Sequence, residues 1–335
     1  MSGSSDGGVG RRAFLGAGLA TIAAGAAAQD YEDPVSIASK PGAPPWPSKE
    51  RFLLWPKAPP GAPRTLPRPE WTMSGDASYR QLWIKGIAAP EVNVFRPARP
   101  DGSAILAIPG GGYEFLAVQN EGVDAARRFN AQRMTVFVLT YRLPAEGWAN
   151  RSVVPLQDAQ RAMRLIRSRA AEFRIAPARL GVLGFSAGGQ LAADLAVSFD
   201  QQVYRPLDQT DELSARPAFA GLIYPVATLG PFTHAGSRDN LLGPSAPAAF
   251  TEARSPERHV TNATPPNFVV AAFDDGLVPI ENSFAWIEAC RRAKVSVEAH
   301  LLAAGGHGFG FHLPRDNPGS LWPALFEAWA RQHGG

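Results

Sequence analysis

The chain has 335 residues, 45% of them hydrophobic and 19% charged, with a formal net charge of +3. That length buries a sizeable core without covalent staples, and the modest charge, with no Lys/Arg stripe interleaved with aromatics, excludes an obvious nucleic-acid binder. The single cysteine, Cys290, excludes an intramolecular disulfide, and no zinc or calcium ligand spacing occurs, so neither a metal nor a cofactor is assigned.

The first 28 residues carry the pattern of a twin-arginine (Tat) signal peptide. Arg11-Arg12 precede a weakly hydrophobic run rich in Ala and Gly at 16–28, and small residues at 24–28 suit cleavage near Gln29. The run is too short and too glycine-rich to span a bilayer comfortably. The expected location is periplasmic or secreted, with no membrane association of the mature form. Residues 29–80 read as a Pro-rich N-terminal extension, and 81–335 as the main domain. Trp46, Trp55 and Trp71 are unusual in a true linker, so Phe52-Leu53-Leu54-Trp55 is expected to lie extended on the domain that follows.

Segments 82–87 and 92–95 read as an antiparallel hairpin. Then come a strand at 105–108, a helix at 122–132, a strand at 135–141, a helix at 157–173, a strand at 180–185 and a helix at 187–199. Strands follow at 219–226, 267–272 and 295–302, with helices from about 281 and at 321–332. Strands alternating with helices predict an α/β fold, a mostly parallel central sheet with helices on both faces. Arg161, Arg164, Arg167 and Arg169 read as a solvated helix face, with Asp158 spaced to pair with Arg161. Residues 227–266 interrupt the alternation as a long, rather polar, cap-like insert. Cys290, on a helix among apolar residues, reads as buried packing.

Chemistry concentrates at the strand ends. The run 180–185 passes into Gly184-Phe185-Ser186-Ala187-Gly188, and a strand that turns sharply into a helix at a serine is a nucleophile elbow. Two residues either side of Ser186, a Cβ would collide with the neighbouring strand and helix. The turn pushes the hydroxyl clear of the sheet, and the helix N-terminus beneath favours developing negative charge. Strand 267–272 ends in Asp274-Asp275-Gly276-Leu277-Val278-Pro279, where an aspartate reaches the top of a parallel sheet. Asp275 is the candidate acid, because D-x-x-V-P resembles the acid turn of many α/β-hydrolases, and Asp274 is a turn residue. Of six histidines, His307 alone combines strand-end placement with glycine flanks. In the order Ser186, Asp275, His307, His307 would take the serine proton during attack on an acyl carbon, while Asp275 holds the imidazole tautomer. Pro109-Gly110-Gly111-Gly112-Tyr113 follows an earlier buried strand. The backbone N–H groups of Gly111, Gly112 and Ala187 are the candidate oxyanion hole. Tyr113, Trp148 and Phe309 are candidate substrate walls.

With these motifs the chain resembles esterases of the α/β-hydrolase superfamily, of the acetylxylan esterase or xylanase B-like type, related to the hormone-sensitive-lipase branch. The matching segments are Pro109–Tyr113, Tyr141-Arg142-Leu143-Pro144, Pro155-Leu156-Gln157-Asp158-Ala159-Gln160-Arg161-Ala162, Gly184-Phe185-Ser186-Ala187-Gly188-Gly189, Asp275-Gly276-Leu277-Val278-Pro279 and Gly305-Gly306-His307-Gly308-Phe309. The lipase branch has a histidine before the three glycines, where this chain has Pro109. The resemblance implies an α/β-hydrolase fold and an exported serine carboxylesterase. Its substrates would be acetyl or other short acyl esters of carbohydrate, acetylated xylan among them, cleaved through a Ser-His-Asp acyl-enzyme. Two other functions stay open. One is a serine peptidase of prolyl-oligopeptidase type, although the chain lacks room for that family's propeller. The other is a non-catalytic hydrolase-fold binding protein, against which the intact Ser186, Asp275 and His307 argue. The expected partner is an acylated carbohydrate or another small ester, not nucleic acid, and no oligomeric state is assigned.

Overall fold

In the computed structural model, residues 44–75 and 79–334 are described. The expected export signal, its expected cleavage point and residues 29–43 and 76–78 of the Pro-rich extension lie outside the described residues. The strands, in chain order, are β1 (Glu50–Leu53), β2 (Glu70–Gly75), β3 (Arg80–Lys85), β4 (Glu91–Phe95), β5 (Ala104–Ile108), β6 (Thr135–Thr140), β7 (Leu180–Phe185), β8 (Ala220–Ile223), β9 (Asn267–Ala272) and β10 (Val297–Leu302). The helices are α1 (Asp124–Asn130), α2 (Val154–Ser168), α3 (Ala170–Phe173), α4 (Ser186–Val197), α5 (Ala235–Leu242), α6 (Ala248–Ala253), α7 (Glu281–Ala293) and α8 (Trp322–Gln332).

Eight strands form one sheet in the order β1-β4-β6-β5-β7-β8-β9-β10. From β6 to β10 every pairing is parallel, and only β4 runs against its neighbours. Strands β5, β6, β7 and β9 are buried at every residue. Such continuously apolar strands are what a parallel sheet covered on both faces requires. The sheet therefore presents the carboxyl ends of β5, β7, β9 and β10 along one edge, where the loops carrying the glycines, serine, aspartate and histidine emerge.

The expected hairpin of 82–87 with 92–95 does not form. Strand β3 pairs with β2 in a separate antiparallel ribbon. The other edge of β3 is bridged by Leu116, which exchanges backbone hydrogen bonds with Ile84. Strand β4 meanwhile lies between β1 and β6. With both edges of both strands occupied, they cannot pair with each other. Phe52–Trp55 does lie extended. Strand β1 extends the main sheet, and Leu54 and Trp55 are buried beyond it.

The arginine-bearing helix starts at Val154, earlier than expected, and is interrupted at Arg169. Its face is not wholly solvated, and Asp158 does not pair with Arg161. Asp158 instead holds Arg142 in an ion pair at 2.8 Å with both side chains fully buried. Arg161, 2% exposed, reaches Asp208 and Asp211. The Arg142 guanidinium lies over Trp55 and Trp148 and donates to Pro60 O at 2.7 Å, while Trp55 Nε1 donates to Asp158 at 2.7 Å. This buried charge pair thus ties the N-terminal segment to the body of the fold. Cys290 is fully buried on α7, and burial pushes its thiol up to about 12.

Candidate active site

The turn from β7 into α4 sets the geometry. Ser186 has φ of 52°, a left-handed value that a residue with a side chain holds only under constraint. A Cβ at Gly184 would come within 2.2 Å of Gly188 O, and one at Gly188 within 2.2 Å of Ile108 O. Helix, elbow and β5 therefore approach more closely than any other residue at those two positions would permit.

The elbow brings Ser186 Oγ to 2.8 Å from His307 Nε2, and His307 Nδ1 lies 2.7 Å from Asp275 Oδ2. The second carboxylate oxygen of Asp275 accepts the N–H groups of Leu277 and Val278, both at 2.9 Å. Burial pushes this carboxyl up, but the His307 hydrogen bond, the two N–H donors and the nearby imidazole outweigh it, leaving Asp275 below its ordinary range. An ionised, well-anchored carboxylate fixes the Nδ1–H tautomer and leaves Nε2 as the acceptor for the serine proton. Asp274 points the other way and accepts from Gly305 and Gly306 N–H, each at 2.8 Å. It braces the histidine loop across the strand ends.

Gly111 and Gly112 line the same cavity as Ser186 and His307, and Ala187 is the first residue past the serine on α4. Gly110 passes so close to the elbow that a Cβ there would lie 2.8 Å from Ser186 Cβ. Its N–H donates to Glu121 at 2.6 Å, and the other Glu121 oxygen accepts from Tyr224 Oη–H at 2.8 Å. Tyr224 Oη also accepts the N–H of Gly310, and its ring lies 4.9 Å from that of His307. Glu121 is thus a buried hub between the glycine loop and the histidine loop. Burial raises its pKa, against the opposing pull of the Gly110 N–H, the Tyr224 hydroxyl and His307.

The cavity measures about 310 Å³ and opens beside Ser186. Tyr113, Trp148 and Phe309, the expected walls, do not line it. Tyr113 is fully buried with its hydroxyl on Gln190, Trp148 covers Arg142, and Phe309 packs edge-on against Tyr224. Each is packing for the loop that carries it. The walls are instead Trp83 and Phe115, stacked 3.9 Å apart, with Gln81, Leu277, His234 and Asn240. His234 begins α5 in the insert. Its Nδ1 accepts the N–H of Ser237, which leaves the proton of the neutral ring on Nε2. Burial and the neighbouring His307 lower its pKa, and Asp275 only partly opposes them. Asn240 Nδ2 donates to Gly112 O at 2.9 Å, so the insert also braces the glycine loop. A sequence signal for these roles existed only in part: His234 sits just ahead of a helix, whereas Trp83 looks like any strand tryptophan.

Among the described residues no group of three or more His, Cys, Asp or Glu could hold a metal ion. No described helix is long and apolar enough to cross a membrane.

The BD-FAE family model matches residues 93–289, more than half of the chain, taking in Ser186, Asp275 and the glycine loop but not His307. The chain belongs to the BD-FAE family. It is 36% identical over 204 residues to endo-1,4-beta-xylanase B of Butyrivibrio fibrisolvens, covering 61% of this chain and 32% of that protein. It is 32% identical over 222 residues to an acetylxylan esterase of Xylanibacter ruminicola, covering 65% of this chain and 43% of that one. The chain therefore spans less than half the length of either curated relative. A solved acetyl ester-xyloside bifunctional hydrolase from Caldicellulosiruptor lactoaceticus superposes with a TM-score of 0.71 at 30% identity, covering 86% of this chain and 97% of that structure. These names agree with the resemblance carried by the motifs, and this BD-FAE chain has the α/β-hydrolase fold.

Proposed function

We propose that this chain is a serine carboxylesterase that removes acetyl or other short acyl groups from carbohydrate. The supporting observation is the continuous hydrogen-bonded line from Ser186 through His307 to Asp275, beside a cavity lined by Gly111 and Gly112. Ser186 Oγ attacks the acyl carbon as His307 Nε2 takes its proton, and the new C–O bond turns the carbonyl oxygen into an oxyanion. The N–H groups of Gly111, Gly112 and Ala187 receive that charge, each donor being worth roughly 3–4 kcal/mol of transition-state stabilisation. The tetrahedral intermediate then collapses, breaking the bond between the acyl carbon and the sugar oxygen, and His307 gives its proton to that departing oxygen. Water repeats the sequence on the acyl-serine, releasing the acid and restoring Ser186.

The xylan-related names of the relatives support the carbohydrate assignment. The small cavity and the polar insert beside it suit a short acyl group on a polar alcohol. The assignment is tested by acetate release from acetylated xylan, measured beside short and long 4-nitrophenyl esters and a peptide. Fast acetate release with weak long-chain activity is expected. Peptide cleavage, or preference for long chains, would refute it. Export follows from Arg11-Arg12 and the run behind them. Substituting both arginines by lysine should leave the protein in the cytoplasm, and unchanged fractionation would refute a twin-arginine route.

A further inference from the structure

The two-stranded ribbon β2–β3 stands beside the cavity, and its side chains divide by face. Leu82 and Ile84 are buried inward. Gln81 and Trp83, alternating with them, line the cavity. Thr72 is the register partner of Trp83 across the ribbon. On this one face three buried polar atoms have no protein partner: Thr72 Oγ1, Gln81 Oε1 and Trp83 Nε1. Unsatisfied buried groups are costly and uncommon, and a cluster of three calls for a ligand or water to complete it. Beside them the stacked rings of Trp83 and Phe115 supply a flat apolar wall.

The set contains one donor, one acceptor and one hydroxyl that serves as either, next to an aromatic surface. A pyranose ring presents the matching chemistry, with a C–H face for the aromatic wall and a rim of hydroxyls that both donate and accept. An alkyl or lipid group would cover the wall and leave the three polar atoms unpaired. The ribbon is also tied to the loop that carries His307. Leu82 N–H donates to Gln119 Oε1 at 3.0 Å, and the next residue, Asn120, donates through Nδ2 to Gly308 O at 2.9 Å, directly after His307.

We propose that Thr72, Gln81 and Trp83, with Phe115, form a subsite for a pyranose ring in the alcohol part of the ester. This subsite rests on the carbohydrate-esterase function proposed above. It is a specificity device, so its loss raises KM for sugar esters more than it lowers kcat.

The test compares kcat/KM for an acetylated xylo-oligosaccharide with that for ethyl acetate, which has no ring to stack. The wild type is measured beside Trp83→Ala, Gln81→Ala and Thr72→Val. The ratio of the two constants should fall about tenfold in Trp83→Ala and roughly threefold to tenfold in Gln81→Ala. Should Trp83→Ala not fold, the two polar substitutions carry the test, because they leave the aromatic stack in place. A ratio unchanged in all folded variants would overturn the subsite and leave the carbohydrate-esterase function standing. A wild type that cleaves ethyl acetate but no acetylated sugar would overturn both.

Discussion

Glu121 shows how much of the site lies outside the hydrogen-bonded line of Ser186, His307 and Asp275. Its carboxyl joins the glycine loop at Gly110 to Tyr224, and Tyr224 packs on His307. The sequence does not single it out, since a lone glutamate ahead of a helix is commonplace. Its role depends on a contact with Tyr224, 103 residues away. Its raised pKa gives a signed prediction. In the folded state Glu121 holds its proton above the ordinary glutamate value of 4.5, so the folded state binds more protons than the unfolded chain in that range. Stability from this group is then fully present below about 4.5 and is lost as pH rises through the folded value. Glu121→Gln removes that slope. Denaturant midpoints of wild type and variant, taken from pH 4 to 8, should diverge in the variant's favour as pH rises. Parallel curves would contradict the buried, proton-retaining carboxyl. Ser186, Asp275 and His307, by contrast, stand out in the sequence because each needs a local signature that survives without the fold: an elbow, a strand-end aspartate and a glycine-flanked histidine.

Strands and helices of the parallel half were legible because an apolar run of five or six residues can be buried only one way between two helical layers. Pairing was less legible. Nothing local tells β3 that its partners are β2 and Leu116 rather than β4, since that choice is made by edges elsewhere in the chain. Charge roles on α2 were misread for the same reason. The helical spacing of Asp158 and Arg161 permits a surface pair, but Arg142, Asp208 and Asp211 arrive from distant loops and take both residues inside. Removing one member of a fully buried pair strands the other charge. Arg142→Met should therefore cost about 3–5 kcal/mol, read as a lowered denaturant midpoint. The same variant should increase protease cleavage near Pro60, whose carbonyl the guanidinium holds. A midpoint within experimental error of the wild type would show that the pair contributes nothing to holding this segment.

Across the whole molecule, the segment ahead of residue 81 is part of the working structure. It supplies the sheet's edge strand β1, and it supplies β2, the strand that holds β3 and with it Trp83 at the cavity. Its tryptophans hinted at such packing, but composition could not reveal that the ribbon would shape the site. The cap-like insert likewise gains its function from position, placing His234 and Asn240 against the glycine loop. Much of the rest of the cavity wall comes from irregular segments at the sheet's carboxyl edge, and these carry the least periodic sequence. The most direct measurement is acetate release from an acetylated xylo-oligosaccharide by the wild type and by Ser186→Ala, with folding of both checked by circular dichroism. Release by the wild type, and a loss of roughly 10⁵–10⁶-fold in the folded variant, is expected for a serine nucleophile. A folded Ser186→Ala protein that keeps the wild-type rate would contradict it.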